Sequence, residues 1–479
     1  MSTCAVSDTG SESASVDCLI AALASQEASQ NSSTDVFYHI FCASLVFFMQ
    51  AGFAMLCAGS VRAKNAKNIM LKNLLDACGA ALGFFALGWG FAYGGEDPKT
   101  KTFIGDFDFF LHENQSGHHA FFFQFAFAAT AATIVAGTIA ERCTMVAYLC
   151  YSTLLTAFVY PVVVHAVWSK SGFLSAFNND PVFDVGVVDF AGSGVVHMTG
   201  GCSALIAAIV LGPRMGRFFD EQGKVLDTPT EMPGHSTSLQ MLGTFILWTG
   251  WYGFNPGSTL GITYGGAAEI ASLSAVTTTI AAASGCVTAL GFRYFCSDSL
   301  ARQYDLTAAM NGCLGGLVAI TAGCSVVQPW AAVPIGAIAG LVYIGCSNLL
   351  IKLRIDDTVD AVPVHFANGM WGLIAVGLFT DPTLKSAAYG GTGAGLFYGE
   401  GKLLGAEICC ILFIIGWVTA IMLPFFVFLR KIGWFRCSIE DEMVGLDISK
   451  HGGSAYELAQ QGAPASKKTY DDFVKNADV

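Results

Sequence analysis

Two histidines lie in apolar stretches of the sequence, and each follows an aspartate by eight residues. His197 occurs in "DFAGSGVVHMTGG" after Asp189, and His365 occurs in "DTVDAVPVHFANG" after Asp357. A neutral imidazole donates a hydrogen bond from one ring nitrogen and accepts one at the other. Two imidazoles in contact could therefore bind a small polar solute or pass a proton. Because ionisable side chains are costly inside a bilayer, their presence there indicates function.

The same histidines allow two other interpretations. Together with His165 they could ligate a metal ion in an intramembrane enzyme, but the sequence has no HExxH or similar helix-spaced pair of ligands. A structural or receptor protein is the second alternative, and polar rings inside apolar segments argue against it. We therefore expect a transport function, with no enzymatic activity, no cofactor and no metal.

The composition is that of a membrane protein. Of 479 residues, 53% are hydrophobic and only 13% are charged, whereas soluble domains carry roughly 25% charged residues. The net charge of −12 and the lack of a basic face exclude nucleic acid as an expected partner. The 54 glycines fit helices that pack closely in lipid.

Apolar runs between polar loops predict an all-α polytopic membrane protein with eleven transmembrane helices. Lysine and arginine concentrate in the loops after odd-numbered spans, so the N-terminus is predicted outside and the C-terminus inside. We expect an extracellular segment 1–35, a membrane domain 36–430 and a cytoplasmic tail 431–479. The predicted spans are 36–61, 69–93, 120–140, 144–167, 190–211, 238–257, 267–291, 307–325, 330–351, 362–380 and 403–430.

The two aspartate–histidine pairs suggest an internal repeat. Asp189 and His197 belong to the fifth predicted span, which starts outside, and Asp357 and His365 to the tenth, which starts inside. Spans one to five and six to ten would then form an inverted five-helix repeat. Transporters built this way carry the substrate near the midplane, between the two halves.

Longer motifs around these residues resemble the ammonium transporter (Amt/methylammonium permease/Rhesus) family. They are "DFAGSGVVHMTGGCSALIAAIVLGPR" at 189–214, "AGTIAER" at 136–142, "WTGWYGFNPGST" at 248–259 and the tail stretch "DEMVGLDISKHGGSAYE". The resemblance covers roughly 36–457 and is strongest to the plant-type Amt branch. It implies eleven helices with the inverted repeat, a homotrimer with one pore per subunit, residence in the plasma membrane, and ammonium and methylammonium as substrates.

The resemblance also implies roles for individual residues. Trp168, Phe127 and Ser258 match an outer ammonium site, where aromatic faces attract a cation by roughly 0.5–2 kcal/mol and a hydroxyl accepts an N–H bond. Asp189 matches an acidic support near the entrance. Phe127 also matches, with Phe254, a stacked pair that blocks the pore below the site.

Further along the expected pore, His197 and His365 match twin pore histidines, and Ile134 matches an apolar lining residue. Asp357 is expected to be the inner counterpart of Asp189, together with Asp360. One departure is Phe366, since family members often have glycine directly after the second pore histidine. Its side chain could face a neighbouring helix or narrow the inner pore.

The resemblance implies that ammonium binds outside, loses a proton and crosses the pore as ammonia, with the proton following through the histidines to give net charge movement. The alternative is a Rhesus-like electroneutral channel for ammonia or carbon dioxide. Trp168 and the plant-type tail argue against it, because the Rhesus branch tends to lack the full aromatic site.

In the tail, Gly445 is expected to allow a close backbone approach, and Ser449 matches a hydroxyl residue that acts as a phosphorylation switch for a kinase. The acidic cluster Glu440–Asp441–Glu442 could pair with basic loop residues such as Arg142, Arg214 or Lys352, on the same or a neighbouring subunit, so that each tail would touch its neighbour. Two sequons, at Asn31 and Asn114, are candidate glycosylation sites.

Overall fold

The structure, a computed structural model, describes residues 12–113, 117–296 and 302–456, and the regular elements within them are helices. The long helical segments are α1 (Glu12–Ser60), α2 (Ala63–Tyr93), α3 (His118–Thr138), α4 (Met145–Trp168), α5 (Ser193–Leu211), α6 (Thr237–Phe254), α7 (Ala267–Cys296), α8 (Leu306–Thr321), α9 (Pro329–Lys352), α10 (Val362–Phe379) and α11 (Lys402–Lys431). Two short helices follow in the tail, α12 (Ile439–Val444) and α13 (Leu446–His451).

Each predicted span overlaps one of these long helices. Within the described part of the chain, nine of them, all except α6 and α8, are long and apolar enough to cross a membrane by length and composition. An all-helical, multi-pass architecture is therefore confirmed.

The first helix differs from its predicted extent. It begins at Glu12, whereas the first span was predicted to begin at residue 36. Residues 16–35 contain neither glycine nor proline, so nothing in the sequence interrupts the helix, and most of their side chains are exposed. Asn31 lies on this polar extension, and Asn114 lies outside the described residues.

The helices are buried to very different degrees. In their most apolar stretches α3 and α5 are 83% and 89% buried, whereas α11 is only 28% buried. Because α3 and α5 are enclosed by the other helices, the side chains that they point inward are shielded from the surroundings. These two helices carry Phe127, Ile134 and His197.

The aspartate–histidine spacing has a structural basis in the way α5 and α10 begin. Each starts with a π-helical turn, Ser193–Met198 in α5 and Val362–Ala367 in α10. The Asp189 carboxylate accepts the backbone N–H groups at positions 192, 194 and 195 at 3.1, 2.9 and 2.8 Å. The Asp357 carboxylate accepts the N–H at position 362 at 2.7 Å. In both halves an acid satisfies the first N–H groups of a helix that carries the histidine.

A buried ionic cluster lies in the loops that follow α3, α5 and α9. The Arg214 guanidinium binds both carboxylate oxygens of Asp356, at 2.8 and 2.9 Å, and Arg142 donates to the Asp356 backbone carbonyl. Burial raises the pKa of Asp356, but the Arg142 charge and the Arg214 hydrogen bonds outweigh it and hold this pKa well below its usual range. Arg142 and Arg214 therefore pair with Asp356.

The acidic cluster of the tail has other partners than those expected. Glu442 pairs with Arg436 at 2.8 Å, and Asp441 pairs with Lys450 at 2.9 Å. Across the part of the chain that the structure describes, no ion pair joins Glu440, Asp441 or Glu442 to Arg142, Arg214 or Lys352. Within one subunit, Glu442 and Asp441 pair instead with basic residues of the tail itself. Pairing with a neighbouring subunit stays a prediction.

The tail instead binds the beginning of α2 through backbone groups. The Asp447 carboxylate accepts the N–H groups of Lys67 and Asn68, both at 2.9 Å. Gly445 has φ +105°, and a Cβ atom there would lie 2.6 Å from Cβ of Lys64. The close approach expected at Gly445 is therefore present, and it holds α12 and α13 against α2.

Candidate functional site

The structure brings Phe127, Trp168 and Ser258 together around one cavity of about 200 Å³, which we call the aromatic cavity. The Phe127 and Trp168 ring centroids are 6.0 Å apart with an interplanar angle of 78°. The wall is otherwise mostly aromatic and aliphatic, with three tyrosines, a threonine and a glutamine. Such a cavity can attract a small cation by its ring faces and offers it a limited set of hydroxyl and amide partners.

Hydrogen bonds fix the polar ends of two of these residues. Trp168 is the last residue of α4, and its indole N–H donates to the Asp189 carbonyl at 2.7 Å. The Ser258 hydroxyl donates to the Phe254 carbonyl at 2.8 Å, so its oxygen keeps acceptor capacity for a solute. Asp189 does not line the cavity, since its carboxylate is turned to the start of α5.

Two phenylalanine rings close the bottom of the aromatic cavity. Phe127 and Phe254 stack with centroids 4.0 Å apart and an interplanar angle of 24°, and neither ring is more than 1% exposed. A solute can pass only if these rings move. The arrangement matches the stacked pair expected from the sequence.

The two histidines meet directly below the rings. The Nδ1 atoms of His197 and His365 are 3.3 Å apart, and the His197 ring centroid is 5.5 Å from that of Phe254. One Nδ1 must donate and the other accept, so the two rings hold opposite tautomers along the contact. Nε2 of His197 has no hydrogen-bond partner among the described residues.

Sequence reasoning missed Trp251, which stacks on the ring of His197. Their centroids are 5.1 Å apart with an interplanar angle of 20°, and the Trp251 indole donates to Thr321 at 2.8 Å. The spacing could have predicted this position. Trp251 precedes Phe254 by three residues on α6, so the two side chains lie on the same helix face. Trp251 fixes the plane of the His197 ring.

Two more cavities continue beyond the histidines. A small cavity of about 20 Å³ is lined by His365, Ile134, Thr133 and Cys57 among others. A charged cavity of about 340 Å³ shares three lining residues with it, Leu56, Asn311 and Val359. Aromatic, small and charged cavities thus form a row, interrupted by the phenylalanine and histidine pairs.

Asp357 and Asp360 both line the charged cavity, but they make different contacts. Asp357 caps α10, whereas Asp360 accepts hydrogen bonds from the hydroxyls of Tyr343 and Ser347 at 3.0 Å each. Phe366 lines none of the three cavities. Its ring is half-buried, and its backbone packs against Gly201 of α5.

His165 lies apart from the histidine pair. Its Nδ1 contacts the Ala92 carbonyl at 2.9 Å and its Nε2 contacts the Thr102 hydroxyl at 2.8 Å. No group of three histidine, cysteine or acidic side chains suited to a metal ion occurs in residues 12–113, 117–296 and 302–456. His165 therefore does not join His197 and His365 in the three-histidine metal site that the sequence allowed.

The helical fold and the row of cavities define a multi-pass membrane protein that transports a small polar solute. The family model described as Ammonium Transporter Family matches residues 36–456, and the chain belongs to this family. Its function is ammonium transport, and the Rhesus-like alternative is not favoured.

Individual relatives agree with this assignment. The chain is 47% identical to ammonium transporter 1 member 1 of Arabidopsis thaliana, over 84% of this chain and 81% of the relative. It is 44% identical to ammonium transporter 1 member 3 of Solanum lycopersicum, over 94% and 98%. A solved structure of a sensor Amt protein is 33% identical, with a TM-score of 0.76 and coverage of 88% of this chain and 99% of that chain.

The contact between α5 and α10 can be tested at Gly201. A Cβ atom at this position would lie 2.4 Å from the backbone nitrogen of Phe366. Gly201→Ala should therefore separate the two helices, lower the stability of the purified protein by about 1–3 kcal/mol and reduce ammonium uptake. Thermal unfolding in detergent and uptake by liposomes measure the two effects.

Gly345→Ala on α9 is the matched control, because no heavy atom lies within 4 Å of the added Cβ. It should unfold at the wild-type temperature or slightly above, since alanine favours a helix over glycine. Unchanged unfolding and uptake in Gly201→Ala would contradict the close α5–α10 contact.

Proposed function

We propose that the aromatic cavity recruits ammonium from the outer side of the plasma membrane. The cation lies against the rings of Phe127 and Trp168 and donates one hydrogen bond to the Ser258 oxygen. The observation that carries this proposal is that these side chains share one cavity directly above the stacked phenylalanines. Asp189 acts by fixing Trp168 and α5, and it adds negative potential near the cavity.

Ammonium then gives a proton to water in the aromatic cavity, and neutral ammonia crosses the phenylalanine pair. The supporting argument is electrostatic. Between Phe127 and Phe254 the passage is apolar and closed, and desolvating a cation there costs several kcal/mol, whereas ammonia carries no net charge. Ile134 contributes an apolar wall to the small cavity below.

The proton follows separately through His197 and His365, so that transport moves net charge. Their Nδ1 contact of 3.3 Å supports this step, because it provides a hydrogen-bonded link between the two halves of the pore. Asp357 and Asp360 stabilise the inner exit, where ammonia is protonated again.

We further propose eleven spans with the N-terminus outside, arranged as an inverted repeat in a homotrimer with one pore per subunit. The matching starts of α5 and α10 support the repeat. Methylammonium is a second substrate in this proposal. Asn31 and Asn114, both on the outer side in this topology, are the candidate glycosylation sites.

The tail is proposed to regulate the pore from the cytoplasmic side. Gly445 and Asp447 hold it against α2, and the Ser449 hydroxyl is buried where it faces the Asp441 carboxylate. Phosphorylation of Ser449 by a kinase would place about −1.5 to −2 charges beside that carboxylate. The repulsion would release the tail.

The main test is the current that an inward ammonium gradient drives in liposomes containing the protein. We expect a current that saturates with ammonium in the wild type and is abolished in His197→Ala and in His365→Ala. The remaining unpaired ring costs about 1–3 kcal/mol, so both variants should still form the native oligomer on gels. Full current in both variants would contradict the proton relay, and electroneutral flux in the wild type would favour the Rhesus-like mechanism.

Trp168→Leu tests the recruitment site. Loss of the ring face should raise the ammonium concentration at half-maximal current by about two- to thirty-fold, the equivalent of ~0.5–2 kcal/mol. Discrimination against methylammonium should also relax, because the cavity becomes less crowded. Trp168→Phe keeps an aromatic face, so its ammonium concentration at half-maximal current should lie between that of the wild type and that of Trp168→Leu. Unchanged half-saturation and selectivity in Trp168→Leu would place the site elsewhere.

Ser449→Asp tests the tail. It should lower the current, whereas Ser449→Ala and the size-matched, uncharged Ser449→Asn should stay active. In trimers of mixed subunits, one Ser449→Asp subunit should reduce transport by more than the one third that its own pore contributes. The reason is that each tail is proposed to touch the neighbouring subunit. A strictly proportional loss would show that the subunits act independently.

A further inference from the structure

A cluster of buried polar side chains lies beside the small cavity, and the pathway described above does not use it. It consists of Lys72 and Asp76 on α2 and Tyr148, Tyr151 and Ser152 on α4, and we call it the lateral polar cluster. Each of the five residues is 0% exposed. Ionisable groups within membrane helices are expensive and need partners, so their presence calls for an explanation.

Hydrogen bonds connect the charged and hydroxyl groups of the cluster. Lys72 donates to the Cys143 carbonyl at 2.7 Å and lies 5.4 Å from the centroid of the Tyr148 ring. The Tyr148 hydroxyl donates to Oδ2 of Asp76. The Asp76 carboxyl group also faces the hydroxyls of Ser152 and Thr133. Hydroxyl groups thus surround a carboxylate that can accept a proton.

Asp76 lies directly behind the wall of the small cavity. That wall includes His365, Thr133 of α3 and Cys57 of α1. Thr133 and Cys57 both also face the Asp76 carboxyl group. The Thr133 hydroxyl already takes part in a hydrogen bond, to Gln50 at 2.8 Å. A single layer of side chains thus separates the cavity next to His365 from a buried acid.

We propose that Asp76 accepts the proton that leaves the histidine pair and later returns it to the small cavity. The inference rests on the proposed function, in which a proton moves separately from ammonia. An imidazolium N–H of His365 gives its proton to water in the small cavity. That water protonates the Thr133 oxygen, and the original Thr133 hydroxyl proton passes to the Asp76 carboxylate.

The reverse relay returns the proton to the cavity, which continues into the charged cavity through shared walls. Lys72 keeps its positive charge throughout, so the Lys72–Asp76 pair changes from neutral to one positive charge and back. The charged and titratable groups that face Asp76 are Lys72 on its own helix, Tyr148 and Tyr151 on α4, and Cys57 on α1.

The alternative is that the lateral polar cluster only holds α2 and α4 together, and this explains its charged groups less well than proton transfer does. Burying a charged group costs free energy, and apolar side chains pack two helices together without that cost. A contact between α2 and α4 would therefore need no carboxyl group beside the cavity wall.

The test separates charge movement from ammonia permeation in the same liposomes. Ammonium-driven current measures the first, and the total ammonium that accumulates inside the liposomes, assayed after lysis, measures the second. Asp76→Asn should lower the ratio of current to ammonia flux by at least about tenfold, a modest share of what a positioned proton-transfer group contributes. Asp76→Glu, which restores the carboxyl group, should recover most of the ratio.

Thr133→Val keeps both charges of the cluster and removes only the hydroxyl in the wall, so it remains informative if Asp76→Asn does not fold. It should lower the ratio as Asp76→Asn does, whereas Thr133→Ser should keep it. A proportional loss of current and flux in Asp76→Asn, with a normal ratio in Thr133→Val, would show a structural role and overturn the proposal.

The outcomes also distinguish this proposal from the proposed function. If His365→Ala loses the current while Asp76→Asn and Thr133→Val keep the wild-type ratio, only the role of Asp76 is wrong. If the wild-type protein moves ammonia without any current, the separate proton pathway is wrong, and the role of Asp76 is overturned with it.

Discussion

The rest of the site depends on one interaction, the capping of the first turns of α5 and α10 by the carboxylates of Asp189 and Asp357. Inside a membrane every backbone N–H must find a partner within the protein. Asp189 supplies three such bonds at the start of α5, and Asp357 supplies one at the start of α10. The π-helical turns that follow place His197 and His365 in contact. Without those caps neither helix could begin in the interior of the fold.

The same caps connect the histidines to the other parts of the molecule. The backbone carbonyl of Asp189 holds the Trp168 indole, so the wall of the aromatic cavity and the start of α5 are fixed together. On the other side, Asp357 follows Asp356, which the arginines bind. The Arg142 carbonyl accepts the N–H of Cys437 in the tail at 3.0 Å. A continuous set of polar contacts thus leads from the tail to the base of α10.

Apolar and polar layers alternate along the row of cavities, and each suits a different form of the substrate. Ring faces and hydroxyls suit a cation, the closed phenylalanine pair suits a neutral molecule, and the charged cavity suits a cation again. In the mechanism that we propose, the energetic cost of desolvation selects the species that crosses. The buried Lys72–Asp76 pair is the exception to this layering, since it introduces charge beside the apolar part of the row.

Hydropathy and spacing are local properties of the sequence, and they were enough to predict the class of fold, the approximate position of every long helix and the two aspartate–histidine pairs. The resemblance to the ammonium transporter family added Trp168, Phe127 and Ser258 at the aromatic cavity. Which polar groups meet could not be predicted, because such contacts depend on how the helices pack. The partners of Arg142 and Arg214, the stacking of Trp251 on His197 and the position of Asp76 behind Thr133 each join helices that are distant in sequence. The extension of α1 to Glu12 was missed for a different reason, because the polar run at residues 25–35 interrupts the hydropathy signal of the first span.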